Sequence, residues 1–240
     1  MKFPLTILFL IISLLASEAV PRTIAAFVAL CDNGSQKIAP VPARIGDGNK
    51  TAVNLYWGCS DGFASFFERR NKWKLIKTEE EVSPDILVRQ QFKHASAALL
   101  LTASAYRGSA TESCTKGFEG ALEQGNDGLV AYLGHNGLMD FTLPAPTKAS
   151  IRRPAAVVLC GKSKSYFQDR IEAAGGPAIL LTDQFIYPCS FLLHDALEAW
   201  RQGQSPASIR SAASWAYARN QNISVRTASA VFSSLSPQQK

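Results

Sequence analysis

The strongest constraint on the fold of this chain is a series of short apolar runs. They are TIAAFVALCDN at 23–33, AALLLTASAY at 97–106, GLVAYLG at 128–134, AAVVLC at 155–160 and PAILLT at 177–182. Runs of this length without polar alternation read as strands buried on both faces. Helix-patterned segments separate them, at about 110–124 and at 163–175, and two helices close the chain. One of these lies near 189–202 and stops at Gly203; the other opens with Ser205-Pro206. Buried strands alternating with helices predict an α/β fold, a mostly parallel sheet with helices on both faces. Residues 73–77 and 86–92 alternate as edge strands or a hairpin would. Residues 51–70 place Leu55, Tyr56, Cys59, Phe63, Phe66 and Phe67 at helical spacing, which predicts an amphipathic helix. The Gly- and Pro-rich stretch before it reads as a long loop, a kind of segment that often carries function.

The N-terminus begins Met-Lys, runs through LTILFLIISLLA and reaches Ser17-Glu18-Ala19, the pattern of a cleavable export signal. We expect cleavage after Ala19, leaving one domain over 20–240 in the periplasm or outside the cell. The apolar run is too short to span a bilayer, so no membrane association is expected after cleavage. The 25 basic against 19 acidic residues give a formal charge of +6, but the basic residues are scattered. The densest group, Arg69, Arg70, Lys72 and Lys74 around Trp73, reads as a solvated helix end running into an edge strand. Nucleic-acid binding is therefore not expected. Five cysteines allow two disulfides and leave one thiol over, and no spacing of Cys or His suggests a metal site.

In an open parallel sheet the ligand site lies beyond the carboxyl ends of the strands. That rule selects the residues after Cys31, Tyr106, Gly134 and Cys160. His135 sits between Gly134 and Gly137 at one strand end, and Cys160 ends the next run, followed by Gly161. Taken singly, each reads as well as a structural residue. Together, on adjacent strands, they would let an imidazole take the thiol proton and leave a nucleophilic thiolate, with a helix opening near Ser163 favouring the anion. Backbone N–H groups around Gly134, Gly137 and Gly161 would then support an oxyanion. Asp32, Asn33, Arg107, Asn136 and Asp140 are candidate pocket residues. Turn-forming roles explain Asp and Asn at such positions about as well, and a surface position would explain Arg107. No G-x-S-x-G, Walker A, G-x-G-x-x-G or H-E-x-x-H motif is present.

The order of strand, His-Gly-type turn, strand, Cys, helix with Ser163 and Phe167, strand and closing helix pair resembles the caspase-like (clan CD) cysteine peptidases. Residues 129–216 look most like the bacterial branch that includes the CHAT and gingipain-type domains, and the closing segment LEAWRQGQSPASIRSAA at 197–213 is similar to the closing helices of CHAT domains. The resemblance covers roughly the second half of the chain, and it departs from the family where Asn136 separates His135 from Gly137. It implies a caspase-like three-layer sandwich and a cofactor-free cysteine peptidase or amidase, with His135 as general base and Cys160 as nucleophile. On that reading Cys31, Cys59, Cys114 and Cys189 are left to form disulfides. The rival reading is a non-catalytic binding module that uses the same strand-end loops to hold a small ligand or peptide. Catalysis expects the Cys160 sulfur within several ångströms of the His135 ring in an open cleft, whereas the rival tolerates a buried Cys160 or one in a disulfide.

Overall fold

Seven strands form one sheet in the order β2-β3-β4-β1-β5-β6-β7. The chain is seen here as a computed structural model that describes residues 21–147, 154–187 and 190–235. The expected signal segment at 1–19 and Cys189 lie outside these residues. The strands are β1 (Arg22–Ala29), β2 (Trp73–Glu80), β3 (Ile86–His94), β4 (Leu99–Tyr106), β5 (Leu129–Gly134), β6 (Ala155–Leu159) and β7 (Ala178–Leu180). β1, β4, β5, β6 and β7 are parallel, and the β2-β3 hairpin adds two antiparallel strands at one edge. β5 and β6 are completely buried, as their unbroken apolar sequences require.

The helices are α1 (Phe63–Glu68), α2 (Thr111–Gln124), α3 (Ser163–Ala173), α4 (Ser190–Arg201), α5 (Pro206–Gln221) and α6 (Val225–Ser229). Alternate strand residues face two separate cores. Ile24, Leu101, Leu129, Val157 and Leu159 pack with apolar residues of α1, α4, α5 and α6. Ala29, Val130, Tyr132, Val158 and Cys160 pack with Phe118 and Leu122 of α2 and with Phe167 and Ile171 of α3. The result is a three-layer α/β sandwich. Ser205 caps α5, accepting from the Ser208 N–H at 3.2 Å, and Pro206 occupies the first turn.

The helix expected over 51–70 is confined to Phe63–Glu68, preceded by a 3-10 turn at Thr51–Val53 and further turns. A Cβ on Gly58 would lie 2.2 Å from the Ala52 carbonyl oxygen, and one on Gly62 2.5 Å from that of Trp57. The glycines thus mark backbone folded on itself. The aromatic spacing still reports burial, because Phe63 and Phe67 stack at 4.5 Å inside the core.

The cysteines require a second correction. Cys31, Cys59, Cys114 and Cys160 are free thiols, so no disulfide joins any two of them. Cys114 points from α2 into the core, where burial pushes its thiol well above the ordinary range. Cys31 and Cys160 do not end neighbouring strands, since β5 runs between β1 and β6.

Candidate functional site

The chain leaves β1 on one side of the sheet, returns through β4, and then crosses to β5 on the other side of β1. Such a reversal opens a crevice at the carboxyl edge. A cavity of about 430 Å³ lies there. Its polar floor comes from Gly134 at the end of β5, from His135 and Asn136 after it, and from Gly161 after β6. The loop after β1 contributes Lys37, Ile38 and Ala39, and the turns before α1 contribute Tyr56. Met139 and the segment after β7, through Phe185 and Ile186, complete the walls.

Buried side chains hold these loops in place. Asn54, fully buried, accepts from the Cys31 and Tyr56 N–H groups, each at 3.1 Å, and donates to the Cys31 carbonyl at 2.8 Å. The Gln36 amide donates to the Leu30 and Gly108 carbonyls, which folds the loop after β1 back over the sheet edge. Thr182 anchors the turn after β6: its hydroxyl donates to the Cys160 carbonyl and accepts from the Ser163 N–H at 3.0 Å. Its carbonyl accepts from the Lys164 N–H at 3.0 Å. Thr182→Val keeps the shape but leaves the Cys160 carbonyl and the Ser163 N–H without that partner. It should lower unfolding free energy by about 2 kcal/mol, measured by chemical denaturation.

His135 is the polar centre of the crevice. Its Nε2 lies 2.5 Å from Asp140 Oδ2, and its carbonyl accepts from the Tyr132 hydroxyl at 2.6 Å. A 3-10 turn over Gly137–Met139 brings Asp140 back against the ring. Because the carboxylate accepts, Nε2 carries the proton in this contact. In the neutral ring Nδ1 is then an acceptor, and it has no partner among the described residues. Asn136, almost wholly buried, donates from Nδ2 to the Gly161 carbonyl at 2.8 Å, tying the two strand-end loops together. That bond fixes the amide orientation and leaves Oδ1 buried without a partner.

Cys160 is not part of this surface. It directly follows β6 beside the end of β5, as the apolar runs imply, but the strand's alternation turns its sulfur with Val158 toward α2 and α3. It has no exposure, and burial pushes its thiol well above the ordinary range with no cation opposing the shift. The first N–H groups of α3 are taken by Thr182, so that helix lends no free donors to a thiolate. The activated His135–Cys160 pair is thus not formed. The imidazole is engaged by Asp140, and the thiol is in the core.

The other candidates divide. Gly134, Gly161 and Asn136 line the crevice with His135, whereas Gly137 packs against Phe141 and Thr111. Asp32 is a loop organiser: it accepts from the Gly34 N–H at 3.1 Å and the Ser35 hydroxyl at 2.6 Å. Asn33 bridges to the Val41 N–H and carbonyl. Arg107 clamps loops by donating to the Pro84 carbonyl and to Asn49. Sequence reasoning missed Lys37, Met139, Phe185 and Ile186 as wall residues. Nothing in an isolated apolar side chain separates a pocket wall from core. Exposure in the fold does, with Met139 39% and Phe185 63% exposed.

Among the described residues no cluster of three or more His, Cys, Asp or Glu side chains is arranged to hold a metal ion, and no helix is long and apolar enough to cross a membrane. The fold and crevice define a three-layer α/β domain with a strand-end pocket. Comparison with protein-family models, with curated proteins and with solved structures returns no match to this chain.

Proposed function

We propose that the chain is a binding module that holds a small ligand or peptide segment in the crevice at the carboxyl edge of its sheet. The observation that carries this reading is the combination of half-exposed apolar walls with a floor that holds an orientated acceptor without a partner. Met139 and Phe185 remain open to solvent, while Asn136 Oδ1 has no partner. Large apolar side chains around convergent polar groups are what small-molecule sites present. The signal-like residues 1–19 support an exported protein, which would meet its ligand outside the cytoplasm.

A second reading is kept by one observation: His135, orientated by Asp140, and Cys160 sit at the ends of adjacent parallel strands. This is the arrangement that the resemblance to caspase-like peptidases implies, and a rotation of the 160–161 turn would be needed to bring the sulfur into the crevice. Thiol labelling separates the readings. On the binding reading iodoacetamide at pH 8 modifies partly exposed Cys59 and leaves Cys31, Cys114 and Cys160 unmodified in the folded protein. Rapid labelling of Cys160 that disappears in His135→Ala would instead establish the hydrolase.

A further inference from the structure

Resting on the crevice being a binding site, we infer that its ligand is an acylated apolar α-amino acid with a free carboxylate, as a short N-acyl amino acid or as the C-terminal residue of a peptide. Three features of the cavity each select one part of that molecule.

The walls select the apolar side chain. Phe185 and Met139 face solvent across the opening, and the Phe185 ring lies against Gly161, where a Cβ would approach it to 2.6 Å. Covering such surface with an apolar group is favourable at roughly 25 cal/mol per Å².

The floor selects a hydrogen-bond donor. Asn136 Oδ1 is a buried acceptor without a partner, and beside it His135 Nδ1, an acceptor in the neutral ring, has none among the described residues. A buried orphan acceptor such as Asn136 Oδ1 costs roughly 1–3 kcal/mol until a donor arrives, so a ligand N–H that reaches it removes that cost.

The rim selects a single negative charge. Lys37 lines the cavity, and Lys162 holds its ammonium 4.9 Å from the Phe185 ring centre; both are exposed, and neither is paired with a carboxylate among the described residues. Among the described residues the rim carries no arginine, and the N–H groups opening α3 are already occupied by Thr182. A phosphate would lack the donors it needs, whereas a carboxylate matches two separate ammonium groups.

The donor must lie between the apolar body and the anion. The amide N–H of an acylated α-amino acid occupies that place. A free α-ammonium does not suit it, because the lysines repel it and Asp140 is already engaged by His135.

The test uses the full chain, with calorimetry and displacement of the fluorescent apolar anion 1-anilinonaphthalene-8-sulfonate. N-acetylphenylalanine should bind with a Kd on the order of 1 mM, as expected of a ligand of this size. N-acetylphenylalaninamide, lacking the charge, and 3-phenylpropionate, lacking the amide, should each bind about threefold or more weakly. Acetyl-Gly-Gly-Phe distinguishes the sources: tighter binding than N-acetylphenylalanine indicates a peptide C-terminus, and weaker binding a small acylated amino acid. Lys37→Ala should weaken the acid and leave the amide unchanged. Phe185→Ala should weaken both. If the dye binds in a Phe185-dependent way but N-acetylphenylalanine does not displace it, the ligand class is overturned and the crevice reading survives. If neither variant alters binding of any probe, or no probe binds, both fall.

Discussion

Replacing Gly134 by alanine should cost this protein about 4 kcal/mol of unfolding free energy, the largest effect expected of any single methyl group in the crevice. Gly134 closes β5 opposite Ala29 of β1, the two strands flanking the switch point. Its φ of +111° is a conformation that residues with a Cβ avoid. A Cβ there would sit 2.1 Å from the Ala29 carbonyl oxygen and 3.1 Å from its carbonyl carbon. Neither contact can be relieved by turning a flexible side chain, because both atoms are backbone. Strain at a positive φ accounts for roughly 1–3 kcal/mol and displacement of a central strand for the remainder. The variant should show a lowered denaturation midpoint with an unchanged slope. It should also lose ligand affinity, because β5 delivers His135 and Asn136 to the crevice directly after this residue. A loss below 1 kcal/mol would mean that the close approach of β1 and β5 is relaxed in solution.

The layers of the fold are legible in the sequence because burial on both faces leaves an unambiguous mark. AAVVLC and GLVAYLG cannot lie at a solvent-exposed edge, and their observed pairing at the centre of the sheet follows. The same property hides which face each side chain takes. In a half-buried strand, polar positions show which residues point to solvent. In AAVVLC every position is apolar, so nothing local says that Cys160 points toward α3 with Val158, away from the crevice. The residue belongs at the edge of the sheet, and its sulfur belongs to the core. Both statements hold, and only the first can be read from a pattern.

The segment before α1 shows the converse. Its aromatic spacing is a correct report of burial and an incorrect report of helix. Phe63, Phe67 and Trp57 do share one buried cluster, but Gly58 and Gly62 allow backbone contacts that no continuous helix would contain. Such contacts depend on Gly58 lying against Ala52 and Gly62 against Trp57, which residue spacing does not encode. The pairing of His135 with Asp140 is hidden for a similar reason. They are five positions apart, a spacing no regular helix face brings together, and the 3-10 turn over Gly137–Met139 closes it.

Acid should remove about 2 kcal/mol of stability through one residue far from the crevice, Glu198 of α4. Its side chain is almost buried, with Oε1 3.1 Å from His94 Nε2 and Oε2 3.0 Å from Lys72 Nζ and 2.8 Å from an Arg201 guanidinium nitrogen. Burial alone would push this carboxyl up, but hydrogen bonds and charge from Arg201 and Lys72 outweigh it and hold the group at about 2, against an ordinary 4.5. A carboxylate depressed in the folded state binds protons more readily once the chain unfolds. Its contribution is therefore complete above pH 4.5 and is lost as pH falls toward 2. The full shift would correspond to roughly 3 kcal/mol, which the half-exposed Lys72 reduces through solvent screening. Glu198→Gln should flatten the pH dependence of stability in that window. Glu198→Ala, which leaves the buried His94 ring without its carboxylate partner, should cost about 3 kcal/mol at pH 7. Denaturation of the three proteins between pH 2 and pH 7 decides it: parallel curves for wild type and Glu198→Gln would show that the cluster contributes packing but no charge.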